Sequence, residues 1–489
     1  MLMEGQVDVV ISSFLCSMEN NVYEATTRQP FALSTPFAFG GIKIGGTPFY
    51  VQNCTDANMK NYDECRDIKF CVGANNLARS ELSRVLHRWQ ILTFPRSAMA
   101  FEAFQNGTCN VVAGEGSELM AYKHSSDRPD LFALGESTLT NVPYAAVTRV
   151  GDAQFTDFVS YVLMALNLGK GINITQATTD TFPQTGELFG DEYIDMFRNA
   201  IAVGGDGKQL FERYINYTPK QTIAQINQGD SRLLFAFPPG DVTQERNDLP
   251  LGETFTRILE RGILHCGIIV MSASNEPRLG FVEKHVSGND NNDSDSSFTG
   301  MDVDYCRAVA ASLFQGDDAD IKLVPLMNQT DGFVQLSNDA VDVVAGTTWT
   351  YQNDVREPTS GIGFSFSAPY FYGYSKEEDN FCLATKQDDH TWSAFVFWVV
   401  MASIYAEANG ITQETHYEML EVFLHGPSFN RMFRDSILRV GNYAEMYARN
   451  VGPFFVREGR NNLNAYPNFG PQRYLVPGFL DTSEQERVQ

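Results

Sequence analysis

The 489-residue chain reads as α/β, with mixed, mainly parallel sheets covered by helices and arranged in two related units. Three observations lead there. Apolar strand-like runs alternate with segments of helical spacing, the βαβα rhythm of helix-covered parallel sheets. The tetrad VDVV occurs at Val7–Val10 and again at Val341–Val344, a shift of 334. A similar turn follows each copy, STPFAFG at Ser34–Gly40 and SAPYFYG at Ser367–Gly373.

Taken in order, the elements support a duplication. The first VDVV is followed by a block, roughly Val51 to Thr148, that the second unit lacks. In it, Asp67–Asn75 reads as a strand, Leu77–Trp89 as a helix, Thr93–Gly107 as strand, loop and helix, and Thr108–Gly114 as a strand. Phe158–Thr175 then matches Phe395–Thr412 at a shift of 237, and Ala202–Ile215 continues at that shift against Arg439–Val451. The polar, proline-containing stretch Phe237–Glu253 reads as a linker. After it come a strand at Ile263–Val270, a helix at Gly300–Phe314, a strand at Ile321–Leu326, and a helix leading into the second VDVV. Asp302 and Asp304 stand where that first helix starts and read as cap or first-turn acids. Leu251–Ala340 has no counterpart in the first unit, so each unit lacks a different piece. In open parallel sheets, ligands sit at the carboxyl ends of strands. The loops after VDVVAG and NVVAG are therefore the places to look.

Composition narrows the function. Hydrophobic residues make up 43% and charged residues 20%, as in ordinary folded proteins. A net charge of -24 opposes contact with nucleic acid and anionic membranes. The most apolar run, Phe395–Ala406, falls short of the ~20 residues of a membrane span and reads as a buried helix. No basic stretch followed by an apolar leader opens the chain, so it reads as a truncated or processed start. The eight cysteines lack zinc-site spacing. Six N-x-S/T sequons, at Asn53, Asn106, Asn173, Asn216, Asn292 and Asn328, together with an even cysteine count, lean towards a secreted glycoprotein with disulfides. Ser287–Gly300 lacks the glycine and closing glutamate of a calcium loop. No HExxH, G-x-S-x-G or phosphate-loop motif occurs. No metal or cofactor is expected.

Five stretches in order carry a family likeness: RGILHCGI, FTGMDVDYCRAVAASLFQG, VDVVAGTTWT, SAPYFYG and VGNYAEMYARNVG. Together they resemble the polar amino-acid family of periplasmic solute-binding proteins, in particular the general L-amino-acid-binding component of bacterial ABC importers. The resemblance implies two α/β lobes that close on a free amino acid without chemistry. It maps residues 1–240 onto a first copy lacking the opening of lobe 1, with lobe 2 at about 65–146. Residues 241–253 form the linker, and 254–482 a second copy with lobe 1 complete and lobe 2 missing.

The resemblance also implies a site. Arg356 would hold the ligand carboxylate in a planar fork, helped by the Thr348 hydroxyl, with Thr347 holding the ammonium. From lobe 2, Asn76 at a helix start and Glu115 after the last strand would complete the grip. The only full set of parts is split across the copies. Disulfides Cys71–Cys109 and Cys266–Cys306 follow from the same likeness. It further implies an amino-acid ligand, a membrane transporter or receptor as partner, and a periplasm-like or extracellular compartment. Two alternatives stay open: a dehydratase acting on cyclohexadienyl amino-acid precursors such as arogenate, and a degenerate copy without ligand.

Overall fold

The computed structural model describes residues 1–22, 30–54, 63–74, 77–79, 82, 90–135, 139–171, 173–182, 184, 191–214, 251–271, 277–286, 296–317, 320–349, 363–373 and 380–457. The linker expected at 241–253 therefore lies mostly outside the described residues. So do the helix expected at Leu77–Trp89, apart from a few positions, and the polar insertion before Gly300.

The first unit is built on one sheet. Its main strands are β1 (Val10–Leu15), β2 (Ala38–Gly46), β3 (Phe70–Gly73), β4 (Ile91–Phe94), β5 (Val111–Glu115) and β6 (Thr140–Thr148). They are ordered β1-β6-β2-β5-β3-β4. Its helices include α1 (Met18–Val22), α2 (Ser97–Gln105), α3 (Gly116–Ser125), α4 (Ala153–Gly171) and α5 (Met196–Gly204). The second unit opens with α6 (Glu253–Arg261). Its strands β7 (Leu264–Ile269), β8 (Ile321–Leu326), β9 (Val343–Thr348), β10 (Phe364–Phe366) and β11 (Asn380–Lys386) are ordered β8-β7-β9-β11-β10. They pack with α7 (Met301–Leu313), α8 (Gln329–Ser337), α9 (His390–Ala408), α10 (Met432–Val440) and α11 (Tyr443–Asn450).

Both sheets are mixed, as expected, but antiparallel pairs outnumber parallel ones. Parallel pairing is confined to β4-β3-β5 in one sheet and β8-β7-β9 in the other. The remaining pairs are antiparallel.

The apolar run at 395–406 lies in α9. Trp392, Phe395, Trp398, Val399 and Ile404 on this helix are all buried. A helix apolar all round belongs inside a core. That core is shared: Cys16, Met18, Val22 and Ala145 of the first unit pack in one cluster with α9, α7 and the second sheet. Each buried Val or Met contributes roughly 1.5–3 kcal/mol through burial, so this contact is a substantial fraction of any domain's stability.

Helix ends follow local chemistry. Asn328 caps α8 by accepting from the Asp331 N–H at 3.0 Å, and Asn442 with Glu445 forms a reciprocal capping box on α11. Asp302 and Asp304 are first-turn acids of α7, as expected, with Gly300 at the cap position. Asp304 accepts from Arg449 and Asn450, each at 2.6 Å, and so clamps α11 to α7.

Corresponding positions in the two units adopt matching structure. α4 and α9 are each 19 residues long, offset by 237. Beyond each, a glutamine Nε2 donates to two carbonyls: Gln176 to Ala202 and Val203, Gln413 to Leu438 and Arg439. Gly205 (φ 90°) and Gly441 (φ 82°) end α5 and α10 in the left-handed region, which only glycine enters freely. From there the offset is 236, one residue less than the sequence match suggests.

Cys71–Cys109 and Cys266–Cys306 are bridged, with Cα separations of 5.9 and 6.0 Å. A third bridge, Cys54–Cys65, had no counterpart in the sequence argument.

Candidate functional site

Two groups of polar side chains stand at the carboxyl ends of parallel strands, one in each sheet. In the second unit, β9 ends in Gly346-Thr347-Thr348. Thr347 is fully buried and its Oγ1 donates to the Cys382 carbonyl at 3.0 Å, tying β9 to β11. The Thr347 hydroxyl hydrogen is thus spent inside the sheet, and any role towards an ammonium falls to its acceptor lone pairs. Thr348 is half-buried, and its N–H donates to Gln329 Oε1 at 3.2 Å at the start of α8. Trp349 N–H donates to Asn380 Oδ1 at 3.0 Å.

Beneath this strand end lies a buried ionic network that sequence reasoning missed. Arg278 Nη1 meets Asp302 Oδ2 at 2.8 Å and also donates to the Ile269 carbonyl at 3.2 Å. Tyr370 OH donates to Asp302 Oδ1 at 2.6 Å and accepts from the Gly346 N–H at 2.8 Å. The guanidinium stacks 4.2 Å from the centre of the Phe381 ring. Burial pushes the Asp302 carboxyl above the usual carboxylate range, against the pull of Arg278. Burial, then the neighbouring Asp302 charge, holds the Tyr370 hydroxyl well above its ordinary value. The network locks the ends of β7 and β9 to the start of α7.

In the first unit, Glu115 closes β5 and precedes α3. Its Oε1 accepts from Ser117 Oγ at 2.7 Å. Ser97, the first residue of α2, packs directly on Gly73 at the end of β3: a Cβ at that glycine would stand 3.1 Å from Ser97 Oγ. Glu118, one turn into α3, has its carboxyl pushed up by burial and by Glu115, with a Ser97 hydrogen bond opposing. Tyr144 on β6 is raised first by burial and then by Glu115. Two helix starts, which attract anions, thus flank a pair of carboxyl groups. Sequence reasoning singled out neither Ser97 nor Glu118.

Asn76 and Arg356 lie outside the described residues. Glu115 and Thr348 each end a strand, in separate sheets. Among the described residues, no group of three or more His, Cys, Asp or Glu side chains is arranged to hold a metal ion.

These features define an α/β protein with polar groups at the carboxyl ends of parallel strands. What the chain is similar to is a set of amino-acid-binding proteins of bacterial importers. It is 32% identical over 127 residues to YhdW of Escherichia coli, whose name is that of an amino-acid ABC transporter-binding protein; the match takes in 26% of this chain and 31% of YhdW. It is 31% identical over 120 residues to the general L-amino acid-binding periplasmic protein AapJ of Rhizobium johnstonii, covering 24% of this chain and 29% of AapJ. The chain thus spans about a third of the length of the curated relatives it matches. A periplasmic binding protein from Brucella ovis with glutathione bound aligns over 46% of this chain and 99% of its own, at 22% identity and a TM-score of 0.35. No family model matches.

Proposed function

We propose that the chain binds a free amino acid without transforming it, as the receptor of an uptake or sensing system. The observation that carries this reading is the strand-end group at Glu115. There, one small volume offers both complements of a zwitterion: the amide-rich starts of α2 and α3 for the carboxylate, and Glu115 for the ammonium. On the second unit, Thr348 and Arg356 are the partners this reading assigns to a carboxylate, with Asn76 completing the first-unit side. The paired losses of the two units motivate a composite grip, and their matching helix offsets support a tandem duplication. Three disulfides favour an oxidising compartment, with a membrane transporter or receptor as partner.

Calorimetry with a panel of L-amino acids tests the proposal on the whole chain. One ligand is expected to bind saturably, and Glu115→Ala and Arg356→Ala are each expected to weaken it at least tenfold. Equal affinity in all three proteins would refute the assignment. Absence of binding by any amino acid would refute the function.

A further inference from the structure

A cavity of about 220 Å³ lies between the two units. It exceeds the ~150 Å³ that accommodates a benzene ring in an engineered core. Trp349 and Asn380 line it, so it adjoins the strand end at Thr348. Its walls come from positions that the repeat pairs. Leu33 lines it with Phe366 and Pro36 with Pro369, each pair 333 apart; Ser160 of α4 lines it with Phe397 of α9, 237 apart.

The units therefore meet through like surfaces, in the manner of an isologous interface, but the paired side chains are unequal. The second unit brings Phe366 where the first has Leu33, and Phe397 where the first has Ser160. Protein interiors are close-packed as a rule, and the missing bulk on the first-unit side leaves this seam hollow. The second-unit wall is aromatic: Trp349 stacks with Phe366 at 6.4 Å between ring centres, and Phe397 meets Trp398 edge-on at 5.3 Å.

The polar side chains around the space are engaged by the protein. Ser160 Oγ accepts from the Thr35 N–H at 3.3 Å. Asn21 Oδ1 accepts from Trp398 Nε1–H, and Asn380 Oδ1 from the Trp349 N–H, each at 3.0 Å. Among the described lining residues there is no lysine or arginine, and the single carboxylate, Asp157, accepts from Gln387 Nε2 at 2.8 Å. His390 donates Nε2–H to the Asn21 carbonyl at 3.0 Å, and burial holds its ring below the usual imidazole range, so it is neutral at neutral pH. Nothing in this wall compensates a buried ligand charge, while aromatic faces favour an aromatic guest.

We infer that this seam is a binding site for an uncharged aromatic ring, seated between the aromatic wall of the second unit and the smaller side chains of the first. The inference does not rest on the amino-acid reading above. The ring has two possible sources of the same chemistry: a free aromatic molecule, or the side chain of an aromatic amino acid held at the Thr348 strand end.

Calorimetry with indole, on the full chain at neutral pH, tests the site, with benzoate and benzylammonium as charged aromatic comparisons. Saturable indole binding is expected, with both charged probes roughly tenfold weaker or more. The cavity-filling Ala153→Phe should abolish indole binding and the smaller Ala153→Val should weaken it. No saturable indole binding to the unaltered chain, charged probes binding as tightly as indole, or affinity unchanged in Ala153→Val would overturn the inference. Ala153→Val adds only two methyl groups, so it decides the matter even if Ala153→Phe fails to fold. Repeating the indole titration in excess L-phenylalanine separates the sources. Displacement assigns the ring to an amino-acid side chain, undiminished binding assigns it to a free aromatic molecule, and either result upholds the ring site.

Discussion

Replacing Gly346 by alanine is the sharpest probe of the buried network under β9. Gly346 has φ 79°, and a Cβ there would collide with Arg278 Nη1 and Asp302 Oδ2. Gly262, which ends α6, has a similar φ of 69° but nothing within 4 Å of its would-be Cβ. The two substitutions share the backbone cost of a left-handed alanine, about 1–2 kcal/mol. They differ in the ion pair: prising Arg278 from Asp302, each fully or nearly buried, adds the roughly 3–5 kcal/mol of a broken buried pair. Gly262→Ala is therefore expected to lose about 1–2 kcal/mol and Gly346→Ala about 4–7. Urea unfolding followed by tryptophan fluorescence measures both, since Trp349, Trp392 and Trp398 report on the second unit. Equal losses in the two variants would show that the network yields freely, and the argument for a rigid strand end would fall.

Other outcomes follow from the same structure. His425 is buried against Phe255, Phe395 and Phe429, and burial lowers its pKa to about 4. The unfolded chain binds this proton first, so stability is full above about 6.5 and falls as pH drops towards 4, by about 3 kcal/mol; His425→Phe should flatten thermal melts across that window. Peptide mapping without reduction should link Cys54–Cys65, Cys71–Cys109 and Cys266–Cys306, and reduction should cost roughly 3–4 kcal/mol for each of the two longer loops, read as a lowered melting temperature. Arg449→Met should loosen α11 by removing its bond to Asp304, at about 1 kcal/mol because Arg449 is 45% exposed and Asp304 keeps Asn450; proteolysis near the end of α11 reads this out.

Much of the fold was legible because hydrophobic periodicity and repetition are properties of the chain itself. The strands around Cys71, Val111, Cys266, Leu323 and Val343 all appear where their apolar runs stand. The proportion of parallel pairing was not legible, since β2, β6 and β11 are placed by the route of the chain and not by their composition. Of the candidate site, Glu115 was reached through the family resemblance, which places an acid after the NVVAG strand; the structure ends that strand at Glu115. Thr347 shows the limit: alternation along β9 turns its hydroxyl towards β11, while the next residue faces α8, and one position of register decides between core and cleft. Arg278 was invisible for a related reason. Its partners Asp302 and Tyr370 lie 24 and 92 positions away, and only the meeting of β7, α7 and the β10–β11 connection joins them.

The seating of Met18 and Val22 against α9 means that the boundary drawn from the repeat is not a boundary of cooperativity. A fragment comprising the second unit alone would present a greasy notch where α1 had docked, and a fragment comprising the first would carry the matching plug. Severed at the junction, the two pieces should remain associated through gel filtration and melt together, behaving as a heterodimer that happens to be encoded in one reading frame.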